Sequence, residues 1–216
     1  MKDVTDGLAK ASAAAGIDTH VFLPYYRVIE DTHAIQVEET LRFDVPMNYP
    51  HEQRFESVVM CRVRQAENLT LHLIKTDRYR YLDEGTDRIE RNGIYQYTEK
   101  EAKALGRPEL KDKGYFDFFA MNVLLVKSGL QALGMMGWKP DVVHCHDGHA
   151  ALWPLIAQAS EEGVDHSLAH VPCVLTIHNA GTGYHQEVAN VDFAATLCGV
   201  PWYVADGCKL DDKFDP

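Results

Sequence analysis

The sequence predicts an α/β fold: a parallel sheet with helices on both faces and an inserted antiparallel β-hairpin. Two observations carry this reading. Residues 141–177 run strand, helix, strand, and the two strands are short, apolar and β-branched. Such strands belong to parallel sheets buried on both faces. Residues 34–75 instead carry three partly alternating β-rich runs separated by turn residues, the pattern of an antiparallel hairpin or meander.

The elements follow in order. Val4, Leu8, Ala11 and Ala15 recur at helical spacing, so residues 3–15 are expected to form a helix, stopped by Gly16. Thr19 to Leu23 reads as a buried strand ended by Pro24. The β-rich runs are 34–43, 57–64 and 69–75, with Ala66-Glu67-Asn68 turning the last two. Residues 76–97 lack periodicity and are expected to be an irregular surface segment. Thr98 to Glu101 fits a capped helix start. A longer helix is expected over about 116–136, where Phe119, Val123, Val126, Leu130 and Leu133 alternate steps of four and three. Gly137 loosens its end and Pro140 prevents a restart. Asp141–Cys145 is then a strand, His149–Ala159 a helix containing Pro154, and Pro172–Ile177 a second strand. The core is therefore Rossmann-like. The polar tail after Val200 is expected to close nothing.

Composition excludes several classes. With 46% hydrophobic and 25% charged residues, the 216-residue chain matches neither a disordered nor a collagen-like protein. The net charge of −11 argues against nucleic acid or an anionic membrane as the main partner. The five cysteines are odd in number and form no CxxC pair, which fits a reducing, cytoplasmic compartment. The opening MKDVTDGLAK has no apolar signal region, and no apolar run is expected to approach the roughly 18 residues of a membrane helix.

In open α/β sheets, ligands bind beyond the C-terminal ends of the strands. Two strand ends are polar here: His144-Cys-His-Asp-Gly-His149, and Thr176-Ile-His-Asn followed by residues through His185. His144, His146 and His149 raise the question of a metal, but Asp147 falls one place too early for the His-x-His-x-Asp-His motif, and Gly148 stands in its place. Asp147 otherwise caps the following helix. The Gly181-Thr-Gly183 pair lacks the fuller phosphate-loop patterns and suits a turn. Cys145 reads as a small core residue.

These stretches resemble a known family. Trp138-Lys-Pro-Asp-Val-Val-His-Cys-His-Asp147, followed by His149-Ala-Ala-Leu152, is similar to the "gWxPDVVHxHDW…aL" motif of bacterial glycogen synthases and plant starch synthases. Leu175-Thr-Ile-His-Asn179 resembles their "TIHN" strand end. Upstream, Asp3-Val4, Gly7 to Lys10 and Val21 to Tyr26 resemble "GDVVGALPKAL…VRVLLPxY", and Tyr81 to Tyr95 falls where the family carries "YFDRxxxY". The resemblance implies one half of a GT-B glycosyltransferase, the acceptor-side domain over residues 1–216, with the nucleotide-binding C-terminal domain absent. It implies retaining transfer of glucose from ADP-glucose, or UDP-glucose in some relatives, to the non-reducing end of an α-1,4-glucan. No metal or other cofactor is implied.

Carried over by position, His178 would lie against the transferred glucose and stabilise oxocarbenium charge, with Asn179 in the same turn. Asp147 would accept from acceptor hydroxyls, and His149 would join the substrate-binding group. Tyr81 and Tyr95 would be sugar platforms or loop anchors. The sequence departs from the pattern at Gly148, at Gly181 to Gln186, at Gly114 to Phe119, and in lacking the K-x-G-G-L loop expected before the first helix. The expectation is a chain with little transferase activity alone and a companion C-terminal domain as partner. A non-catalytic glucan-binding module and a His-cluster metal-dependent hydrolase are the other readings.

Overall fold

The computed structural model describes residues 2–32, 35–84, 87–162, 165–178 and 187–215. The first helix, α1 (Lys2–Ala14), ends at Gly16, whose φ of +83° is the left-handed stop expected of a glycine. Strand β1 (Thr19–Pro24) and the short α2 (Arg27–Thr32) lead into β2 (Glu38–Pro46), β3 (Phe55–Ala66) and β4 (Leu69–Lys75). The order in the sheet is β1-β4-β3-β2. The β2-β3-β4 meander is antiparallel, but β4 also pairs in parallel with β1, Thr19 opposite Leu69 through Pro24 opposite Ile74. The antiparallel meander is thus joined to a parallel pair through one shared strand, β4.

Residues 76–97 depart from expectation. They form a 3-10 turn (Asp77–Tyr79) and a hairpin of β5 (Tyr81–Glu84) and β6 (Asp87–Glu90), and they bury Tyr79, Leu82, Arg91 and Tyr97. A buried carboxylate draws them inward. Asp117 accepts two hydrogen bonds from Arg91 Nη2, at 2.8 and 2.7 Å, and one from Arg78 Nη1 at 3.0 Å. The Arg91 guanidinium also lies 4.2 Å over the Tyr115 ring. Charged residues with no apolar period look like surface in a sequence. Paired, they become core.

Helix α3 (Glu99–Ala104) starts with the full reciprocal capping box between Thr98 and Glu101. Helix α4 (Phe118–Met136) is the central helix, packed against β1, β2 and the later helices Trp153–Ala159 and Val191–Cys198. Its expected apolar stripe is buried at Val123, Val126, Leu130 and Leu133, but so are Asn122 and Lys127 beside it and Ser128 on the opposite face. By length and composition alone it could cross a membrane, contrary to the expectation from the sequence. Most of it is instead enclosed by this fold, with Lys127 donating to the Pro46 carbonyl at 2.9 Å.

Strand β7 (Val143–His146) pairs in parallel with β8 (Cys173–Thr176), Val143 opposite Cys173 and His146 opposite Thr176. Between them, the expected single helix is two: α5 (Asp147–Ala150) and α6 (Trp153–Ala159). Pro154 sits in the first turn of α6, where its missing N–H costs nothing. The tail also corrects the expectation. Helices α7 (Val191–Cys198) and α8 (Trp202–Asp206) are followed by the small hairpin β9 (Lys209–Leu210) and β10 (Lys213–Phe214). Phe214 is fully buried, packs edge-on against Phe119 and pairs its backbone with Val188.

Candidate functional site at the ends of the parallel strands

Strand alternation sets the site. His144 and His146 share one face of β7, while Cys145 points to the other and is buried, as the sequence suggested. Its thiol lies 3.6 Å from that of Cys173, and burial pushes its pKa well up, away from nucleophile chemistry. On the histidine face, His144 stacks on His146 with ring centroids 4.3 Å apart, and its Nε2 meets Thr176 Oγ1 at 2.7 Å.

The structure brings Asp147 and His178 together. Asp147, at φ +52°, opens α5, and its Oδ1 accepts from the backbone N–H of His178 at 2.6 Å. Its carboxylate therefore ties the two strand ends together; His146 takes the N-cap position of α5, and Asp147 is the acidic residue of its first turn. The His178 ring meets His146, Nε2 to Nδ1, at 3.0 Å. Burial first, then the neighbouring His144 and His178, lower the pKa of His146 and favour its neutral form.

His149 packs its ring edge-on to Phe118 and Tyr95, at 5.2 and 5.8 Å between centroids. Its Nδ1 is buried without a hydrogen-bond partner, and burial lowers its pKa, with Asp147 opposing. Tyr95 stays 43% exposed, so part of its ring remains open to a ligand. Its position is set by backbone pairing, the Tyr95 carbonyl accepting from Tyr115 N–H at 3.1 Å, which holds it beside the start of α4. Tyr81 is placed differently. The Arg88 guanidinium lies 3.8 Å over its ring and its carbonyl accepts from Arg91 Nε. Asn179 and the Gly181–Gly183 turn lie outside the described residues.

Sequence reasoning passed over His146 as a partner of His178. The signal was present: in a parallel pair, His146 opposite Thr176 puts His178, two residues on, at the adjacent position on the same face. Among the described residues no group of three His, Cys, Asp or Glu side chains is arranged to hold a metal ion. His144 is engaged with Thr176, and His149 with two aromatic rings.

An α/β domain with polar side chains gathered where two parallel strands end has the ligand-binding architecture of an open α/β fold. The profile of the family described as "Starch synthase catalytic domain" matches residues 1–215, and the chain belongs to that family. It is 26% identical over 203 residues to the glycogen synthase of Thermodesulfovibrio yellowstonii, covering 88% of this chain and 38% of that one. It is 26% identical over 189 residues to the glycogen synthase of Desulforudis audaxviator, covering 83% and 31%. Its fold is similar to the catalytic domain of Starch Synthase IV from Arabidopsis thaliana bound to ADP and acarbose. The TM-score is 0.64 at 19% identity, over 99% of this chain and 38% of that chain. The chain thus spans about a third of the length of the curated relatives it matches.

Proposed function

We propose that the chain is the acceptor-side half of a retaining glucosyltransferase that moves glucose from ADP-glucose to the non-reducing end of an α-1,4-glucan. The observation that carries this is the meeting of Asp147, His178, His149 and Tyr95 around two parallel strand ends, in a chain of the starch synthase catalytic family. A structural neighbour binds ADP and acarbose, a nucleotide and a glucan-like oligosaccharide, which fits the same pair of ligands here.

In this reading His178 borders the transferred glucose, where fixed dipoles in a dry cleft stabilise developing oxocarbenium charge. Asn179 follows it in sequence and is the next candidate for a sugar hydroxyl. The Asp147 carboxylate has a second oxygen for an acceptor hydroxyl, and Tyr95 offers a ring face to a pyranose. His149 packs edge-on to Tyr95. Most donor contacts fall to a companion nucleotide-binding domain, and the transition state needs both walls of the cleft. The purified chain therefore has little or no transferase activity by itself. The free thiols of all five cysteines suit a reducing cytoplasm.

The test is calorimetric titration of the chain with maltooligosaccharides. Tyr95→Ala should weaken binding about fivefold, the loss of roughly 1 kcal/mol of ring contact. Tyr81→Ala should leave affinity unchanged. Wild-type protein that binds no maltooligosaccharide sinks the acceptor-side assignment, and robust glucose transfer from ADP-glucose by the chain alone sinks the need for a second wall.

A further inference from the structure

We propose that His146 is a positioning residue for His178, fixing the plane and the tautomer of its imidazole by accepting a hydrogen bond from His178 Nε2–H at Nδ1. The inference deepens the reading of His178 given above and rests on it for its functional meaning. The geometry is its own support. The two ring planes lie within 10° of each other with centroids 5.3 Å apart, and the facing nitrogens are 3.0 Å apart. That is an in-plane N···N hydrogen bond. On its other side His146 is clamped by the His144 ring, itself anchored on Thr176.

Two neutral imidazoles sharing such a contact hold one proton between them. If His178 donates, each ring carries its proton on Nε2, the form neutral imidazole prefers. If His146 donates, both rings adopt the rarer form. Two protons on the facing nitrogens would set N–H against N–H. The groups around His146 are the His144 and His178 rings and the Asp147 carboxylate; burial and the two rings oppose a charge on it more than the carboxylate favours one. His146 is therefore held neutral, and the common Nε2–H form of its ring makes His178 the donor. The His178 ring is thereby held in the plane of the His146 ring, and its Nε2 is unavailable to any ligand.

Proton–nitrogen correlation spectra of the full chain, labelled at histidine, test this without any activity. Wild-type His178 should show a protonated, slowly exchanging Nε2. His146→Ala should lose that slow exchange. His146→Asn should restore it, because Asn Oδ1 falls close to the position of histidine Nδ1. A merely space-filling His146 would give no such rescue. An unprotonated Nε2 on wild-type His178 overturns the proposal, even if the alanine variant fails to fold. So does a His178 signal unchanged in His146→Ala. Maltopentaose titrated into the same wild-type sample separates the two readings: absent binding tells against the carbohydrate assignment, while the state of the ring nitrogen decides the His146 role alone.

Discussion

Asp147 and His178 are 31 residues apart in sequence, yet the carboxylate of one closes on the backbone N–H of the other at 2.6 Å. The bond joins the turn after β7 to the end of β8, so the two polar strand ends act as one unit. It also rewards an unusual backbone. Asp147 sits at φ +52°, a region that Asp and Asn tolerate better than most residues.

Removing that carboxylate should cost stability before it costs anything else. Asp147→Ala loses a charge-assisted bond and places a poor residue at positive φ, and should destabilise by about 2–4 kcal/mol in urea unfolding. Asp147→Asn keeps an acceptor and the backbone preference and should lose less than half as much. Equal losses in the two variants would show that the bond to His178 is not what holds the turn.

The buried pair of Arg91 and Asp117 should be the most sensitive polar site. Arg91 is 1% exposed, and Asp117 also serves Arg78. Asp117→Ala strands the Arg91 guanidinium, while Arg78 keeps Glu56, and breaking a buried pair from one side typically costs about 3–5 kcal/mol. The loss should persist at high salt, because a pair shielded from solvent is poorly screened. A loss that vanishes in molar salt would place the pair at the surface.

His72 gives the fold an acid limit. It is buried on β4, bonded to His20 at 2.9 Å and stacked on Phe22, with Nδ1 left without a partner. Burial first, then His20 and Arg62, lower its pKa to about 4. The unfolded chain titrates near 6.5, so between these values the unfolded state binds more protons. His72 therefore costs nothing above about pH 6.5, and stability falls as pH drops toward 4, by about 3 kcal/mol in all. His146 and His149, also lowered, act in the same direction. His72→Phe should flatten the melting temperature against pH over that window, while a wild-type profile already flat from pH 7 to 4 contradicts a neutral buried imidazole.

What could be read in advance was what is local. Apolar spacing found α4, the Thr98–Glu101 box found α3, and glycines marked both long-helix stops, because each signal lies within a few residues of the structure it makes. The double pairing of β4 could not be read that way, since parallel pairing with β1 needs a partner some 50 residues away. Arg91 failed for a related reason: only the distant Asp117 turns a loop arginine into a core residue. Within the site, Asp147, His178 and His149 were visible as polar strand ends. The His146–His178 bond and the arginine covering Tyr81 needed register and packing.

Two glycines that end helices make a matched experiment. Gly137 closes α4 at φ +63° and Gly199 closes α7 at φ +71°. Either alanine variant meets the left-handed penalty of roughly 1–2 kcal/mol. Around Gly137 a new Cβ would meet nothing within 4 Å, so Gly137→Ala should lose that much and no more. At Gly199 the Cβ would come within 2.8 Å of Glu162 Oε2 and 3.1 Å of Ser160 Oγ. Glu162 cannot simply swing away, because it accepts from Lys127 at 3.3 Å and from Asn48 at 2.8 Å. Lys127 is itself buried at 2% exposure, and burial lowers its pKa, so a displaced Glu162 leaves an ammonium with only the Pro46 carbonyl. Gly199→Ala should therefore cost at least about 1 kcal/mol more than Gly137→Ala. Adding Glu162→Gln to both should shrink the difference, because the neutral amide gives way more easily and the lysine is already unpaired. Equal losses for the two single variants would mean that Glu162 is free to move and that the buried lysine does not depend on it.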